Sequence, residues 1–136
     1  MAALDHIGIA VRSIDERLAV YRALGLEVAG REEVPSEKVR VAFLPLAGTR
    51  IELLEPTAED SPIAGFIAKR GEGIHHLSIE VVDIRAAMAR ARAAGLAVLS
   101  EEPQQGADGA QVCFVHPRST GGVLIELSQP AACGRP

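Results

Sequence analysis

Along this chain the apolar positions change period repeatedly, and each change marks an element. Residues 5–11 alternate, with Ile7, Ile9 and Val11 on one face and His6, Gly8 and Ala10 on the other, as in a half-buried strand. Ser13 and Glu16 then stand at capping-box spacing. The helix they open runs through Leu18, Val20, Tyr21 and Leu24 and stops near Gly25. Strands are expected near 26–33, 38–46 and 49–55, the last two separated by Ala47, Gly48 and Thr49. A short helix follows at residues 61–66, with Ser61 as cap and Pro62 in its first turn, and residues 71–73 form a linker.

The same order then repeats. Residues 5–11 recur at 75–81, and aligning the histidines gives an offset of 76 − 6 = 70. At that offset Ser13 falls on Asp83 and Gly25 on Gly95. Ile84, Met88 and Ala91 or Arg92 give the second helix a narrow, alanine-rich stripe. Ile51, Glu52 and Leu53 match Ile125, Glu126 and Leu127 at 126 − 52 = 74, so one loop of the second half absorbs four extra residues. Strands are expected there near 96–101, 110–116 and 122–128. The fold class is α+β, with two tandem βαβββ modules inside a single domain, 1–136. Its halves span about 4–58 and 74–129, joined by the helix and linker at about 61–73.

Alternation decides where the repeated polar residues point. His6, Glu52, His76 and Glu126 each sit between apolar neighbours that would meet the helices, so all four project to the other face. Two imidazoles and two carboxylates form a plausible ligand set for a divalent cation. They suit Mn, Fe, Co, Ni or Zn better than Ca or Mg. A single His or Glu on a strand is usually structural or solvated. Their joint recurrence at equivalent points of a duplication favours metal binding. His75, facing the opposite way and matched by Asp5, is assigned a structural role or one supporting a ligand. His116 before Pro117 reads as a strand-end residue, and Ser119 and Thr120 read either as ordinary turn residues or as contacts to a ligand's carboxylate or phosphate.

Composition narrows the function. The 136 residues carry 14 Lys plus Arg against 18 Asp plus Glu, a net charge of −4, which argues against nucleic-acid binding. Aromatic residues make up 3% and there is no Trp, which disfavours a stacking platform for bases or an aromatic clamp. No run approaches the roughly 20 apolar residues of a membrane span, and the start does not read as a signal peptide. A soluble, cytoplasmic protein is expected. Cys113 lies in an apolar run and reads as a small buried hydrophobe, and Cys133 belongs to a frayed tail.

Several stretches together resemble the methylmalonyl-CoA epimerase family of the vicinal oxygen chelate superfamily, alongside glyoxalase I. They are residues 5–11, 41–46, 51–56, 61–66, 71–77 and 116–127, and the resemblance covers about 4–129. The segments 61–66 and 71–76 and the ending at 116–127 are its more specific parts. The resemblance implies a cupped mixed sheet around a divalent metal, with His6, Glu52, His76 and Glu126 as ligands. It implies interconversion of (R)- and (S)-methylmalonyl-CoA, an acyl-CoA substrate and a homodimer. Proton transfer needs an acid and a base, and the resemblance gives that work to Glu126 and to a glutamate before the 38–46 strand. Here the chain departs from the family, because that glutamate falls on Ser36 and Glu37 stands one place later. Glu37 is taken as the catalytic group, against the alternative of an exposed loop Glu beside Lys38. Other readings are a glyoxalase I-like isomerase, an extradiol-type dioxygenase, and a non-catalytic small-molecule-binding relative on the same fold.

Overall fold

The computed structural model describes residues 2–132, so the expectation for Cys133 lies outside the described residues. The chain divides into two compact units, residues 6–75 and residues 76–132 with 2–5.

In the first unit the elements are β1 (Ala3–Ala10), α1 (Ile14–Ala23), β2 (Gly30–Val34), β3 (Val39–Leu46), β4 (Thr49–Pro56) and α2 (Pro62–Arg70). The strand order is β2-β3-β4-β1. The β2–β3 and β3–β4 pairs are antiparallel and β1–β4 is parallel, with Gly8 opposite Glu52. Ser13 caps α1, its side chain accepting from the Glu16 N–H at 3.3 Å. At the other end Gly25, at φ 96°, lets the Leu26 N–H reach the Tyr21 carbonyl and close the helix. Ile14 and Leu18, one helical turn apart, bury fully against Val11, Ala42, Leu44 and Leu53. Removing a side chain such as Leu18 from this core would cost about 2–5 kcal/mol. Val20 and Leu24, expected on the same stripe, are instead exposed.

The second unit repeats the plan with β5 (Gly73–Glu80), α3 (Ile84–Ala93), β6 (Gln104–Gln105), β7 (Gln111–Val115) and β8 (Ile125–Gln129), in the order β5-β8-β7-β6. Here β5–β8 is the parallel pair, with Ser78 opposite Glu126. The Asp83 side chain caps α3 by accepting from the Ala86 N–H at 3.1 Å, and Ile84 and Met88 pack on Cys113 and Leu127. The register difference is 126 − 78 = 48 against 52 − 8 = 44 in the first unit, which reproduces the four-residue slip.

A second equivalence is visible only in the structure. The Ile14 N–H donates to Glu55 Oε1 at 2.8 Å, and the Ile84 N–H donates to Gln129 Oε1 at 2.8 Å. The acceptor lies three residues beyond Glu52 in one unit and three beyond Glu126 in the other. Each strand that carries a glutamate therefore also ties down the first turn of its helix.

Two strand expectations fail in part. Residues 26–29 are not strand, and β2 starts at Gly30. The segment 96–101 makes only a bridge between Val98 and Val115, and the edge strand is the two-residue β6. Glu101, Glu102 and Pro103 explain this, since Pro has no N–H to give a ladder and adjacent charges resist burial on a sheet face. The α+β class and the doubled βαβββ order hold. Among the described residues no helix is long and apolar enough to cross a membrane.

Candidate metal and proton-transfer site

In the first unit, His6 on β1 and Glu52 on β4 are both buried, and His6 Nδ1 lies 3.2 Å from Glu52 Oε2. Phe43 on β3 faces Glu52 across the antiparallel ladder. Arg50 shares the face of Glu52, two residues earlier on β4, and is itself buried. Its Nε and terminal nitrogen donate to Glu52 Oε2 at 2.9 and 2.7 Å, and its Cζ stands 4.4 Å from the centroid of the Phe43 ring. Sequence reasoning passed over Arg50. Its signal was the alternation Arg50-Ile51-Glu52, which puts both charges on one face.

The second unit holds the matching pair. His76 on β5 and Glu126 on β8 are buried, with His76 Nε2 3.9 Å from Glu126 Oε1. Phe114 faces Glu126 across the β7–β8 ladder as Phe43 faces Glu52, and its ring meets the His76 ring edge-on at 5.6 Å. The fully buried Ser78 Oγ has no hydrogen-bond partner among the described residues. Such a hydroxyl is costly to bury, so it marks this face as one built to meet further polar groups.

These donors fit a divalent cation. Bonds near 2.1 Å place adjacent ligand atoms roughly 3.0–3.4 Å apart and opposite ones about 4.2 Å apart. The His6–Glu52 distance, 3.2 Å, matches adjacent ligands, and the His76–Glu126 distance, 3.9 Å, lies between the adjacent and opposite values. His6 with Glu52, and His76 with Glu126, belong to buried His and carboxylate groups whose donor atoms lie within 4.8 Å of one another.

Glu37 ends a tight 3-10 turn, Pro35–Glu37, ahead of β3. Strand alternation does not govern it, because the next residue, Lys38, turns the chain through the left-handed region at φ 52° and ψ 48°. Glu37 is half-buried and Ser36 exposed. Burial pushes the Glu37 carboxyl above its ordinary range, Glu52 adds to the rise and His6 opposes it. Glu37 thus lies within electrostatic reach of the His6–Glu52 pair. The Lys38 ammonium pairs with Asp60 on the surface, so the picture of an exposed Glu beside Lys38 does not hold.

The remaining candidates are structural. His75 is half-buried and edge-on to Phe66 at 5.0 Å, and burial lowers its pKa to about 4. The His116 Nδ1 accepts from the Arg118 N–H at 3.0 Å and caps the turn at Pro117–Ser119. Ser119 Oγ accepts from the Ala97 N–H at 2.9 Å, and Thr120 Oγ1 donates to the carbonyls of Pro117 and Val123. Ser119 is thus engaged with the segment at Ala97, and Thr120 within its own turn. Cys113 is buried as expected.

Comparison with known proteins agrees with this geometry. The profile of the Glyoxalase/Bleomycin resistance protein/Dioxygenase superfamily matches residues 5–114. An ethylmalonyl-CoA/methylmalonyl-CoA epimerase of Cereibacter sphaeroides is 47% identical over 129 residues, covering 93% of this chain and 96% of its own. The mitochondrial methylmalonyl-CoA epimerase of Homo sapiens is 42% identical over 131 residues, covering 95% and 74%. A solved methylmalonyl-CoA epimerase in complex with methylmalonyl-CoA and NH4+ superposes with a TM-score of 0.93 at 39% identity, covering 100% of this chain and 99% of that one. The chain belongs to the methylmalonyl-CoA epimerase family within the Glyoxalase/Bleomycin resistance protein/Dioxygenase superfamily.

Proposed function

We propose that this enzyme interconverts (R)- and (S)-methylmalonyl-CoA with the help of a divalent cation, for which His6, Glu52, His76 and Glu126 are the candidate ligands. The observation that carries the reading is the duplication itself. Each unit buries one His and one Glu at equivalent positions, each Glu faced by a Phe, in a chain whose relatives are named for this activity. A bound cation would supply Lewis acidity toward the thioester oxygen. The donor set admits Co, Mn, Zn, Ni or Fe.

The chain's own residues supply the proton traffic. Glu37 takes the proton from the carbon alpha to the thioester, the C–H electron pair passing into the thioester carbonyl. Glu126, ligand and second proton-transfer group, returns a proton to the opposite face of that carbon. In the reverse direction the two exchange roles. A carboxylate whose pKa is raised by burial, as at Glu37, is a stronger base toward the alpha proton and titrates closer to working pH. The homodimer expected from the sequence belongs to the same reading and rests on the family resemblance.

The test is deuterium incorporation at the alpha carbon of methylmalonyl-CoA in D2O. The expected result is exchange that a chelator abolishes and added Co2+ restores. No metal-dependent exchange at high enzyme concentration refutes the reading. In the apoprotein, His76→Ala should lose Co2+ binding far more severely than His75→Ala. Equal loss would show that the face of β5 was assigned wrongly.

A further inference from the structure

Arg50 is a charged residue at this site to which neither the repeat nor the family resemblance assigns a task. Arg50 is 9% exposed, and its guanidinium meets Glu52 at one oxygen, Oε2. The Phe43 ring beneath it fixes the plane of the fork. Applying the offset of the second half, 50 + 74 = 124, places Leu124 at the equivalent position. The equivalence of the two halves is therefore broken in one respect. A guanidinium shares the charge of Glu52, and the corresponding position beside Glu126 offers only an apolar side chain.

A buried guanidinium is retained where its charge is used, because burying it without a partner is strongly unfavourable. Two effects follow from its place. A carboxylate oxygen already engaged by a guanidinium is a weaker donor to a cation. A fixed positive charge beside the ligand also opposes binding of a divalent cation, yet favours negative charge that develops on a substrate there. We propose that Arg50 is a positioning residue that acts through Glu52, holding that carboxylate in one orientation while loosening its grip on the cation and keeping the centre more positive. The inference rests on the metal reading above.

Its test is calorimetric titration of Co2+ into the full-length apoprotein, with steady-state kinetics alongside. Arg50→Gln should bind Co2+ about tenfold more tightly, a change of about 1.4 kcal/mol. Its kcat should fall about tenfold while KM changes less than about threefold, because the lost effect acts on charge formed during the reaction. Arg50→Lys, which keeps the charge, should return Co2+ affinity toward wild type. A merely structural Arg50 predicts the opposite sign, with a loosened site and weaker Co2+ binding. Equal or weaker binding by a folded Arg50→Gln overturns the proposal. Should that variant fail to fold by circular dichroism, Glu52→Gln is compared with Arg50→Gln/Glu52→Gln. The double variant should bind Co2+ more tightly than the single one, and no gain overturns the proposal. If the wild-type chain takes up no Co2+, the metal reading falls and this one with it. If the wild type binds and Arg50→Gln does not tighten, only this proposal falls.

Discussion

Substituting Glu37 with Gln keeps the volume of the side chain and removes its ability to exchange a proton. The structure gives two consequences of opposite sign. Loss of a positioned acid or base typically costs about 10²–10⁴ in rate. At about 1.36 kcal/mol per factor of ten, that is roughly 2.7–5.4 kcal/mol of lost transition-state stabilisation. Stability should move the other way. Burial first, and Glu52 second, raise the folded-state pKa of Glu37 above its ordinary 4.5, so the folded protein holds that proton more tightly than the unfolded chain does. The contribution is fully present below the unfolded value and is lost as pH rises through the folded one, leaving the ionised group as a penalty at neutral pH. Glu37→Gln should therefore be more stable than wild type at pH 7, with the gap closing as pH falls below about 4.5. Deuterium exchange at the alpha carbon of methylmalonyl-CoA measures the first effect, and urea midpoints at pH 7 and pH 4 the second. Ser36→Ala, at an exposed position, should stay within about threefold in rate. Retained exchange in Glu37→Gln together with its loss in Ser36→Ala would refute the assignment.

Further outcomes follow from the caps and the core. Gln129→Ala strands the N–H of the buried Ile84 and should cost about 1–3 kcal/mol in a urea melt. Glu55→Gln keeps the oxygen that accepts from Ile14 and weakens only the half-exposed ion pair with Arg40, so it should cost about 0–1 kcal/mol. An equal loss in the two variants would mean that the backbone caps are not what these side chains contribute. Burial pushes the Cys113 thiol up to about 11, so very little thiolate is available at pH 8. In a Cys133→Ser background, native protein should resist iodoacetamide at pH 8 while urea-unfolded protein reacts. Rapid labelling of the native state would show that this core opens readily.

The fold was legible because the chain states it twice. Alternation at 5–11 and 75–81, caps at Ser13 and Asp83, and glycines at 25 and 95 each appear in duplicate, and the structure keeps all of them. Legibility failed where only one copy spoke. The 96–101 segment has apolar content enough for a strand, yet Pro103 and the charges before it withhold the ladder. Val20 and Leu24 are apolar at helical spacing, but a ten-residue helix needed only Ile14 and Leu18 for its fully buried positions. At the site, the four His and Glu positions could be read from strand parity. Glu37 could not, because a left-handed residue at Lys38 suspends parity there. Arg50 went unread for a different reason. Its importance comes from the Phe43 ring and the Glu52 carboxylate that enclose it, and the packing of three side chains is not written in their spacing.

The two capping contacts also bear on how such a chain can change its length. Since the halves diverged, the second has accommodated four additional residues between its helix and its last strand. The interval from glutamate to helix anchor stayed at three in both, 52 to 55 and 126 to 129. An insertion inside that interval would leave one backbone donor in each helix start without its acceptor, or slide the glutamate along its strand and off its facing Phe. An insertion in the 100–110 segment disturbs neither. Size variation and loop grafting in proteins of this plan should therefore gather in that segment of the second half, while the last strand of each half tolerates substitution and refuses a change of length.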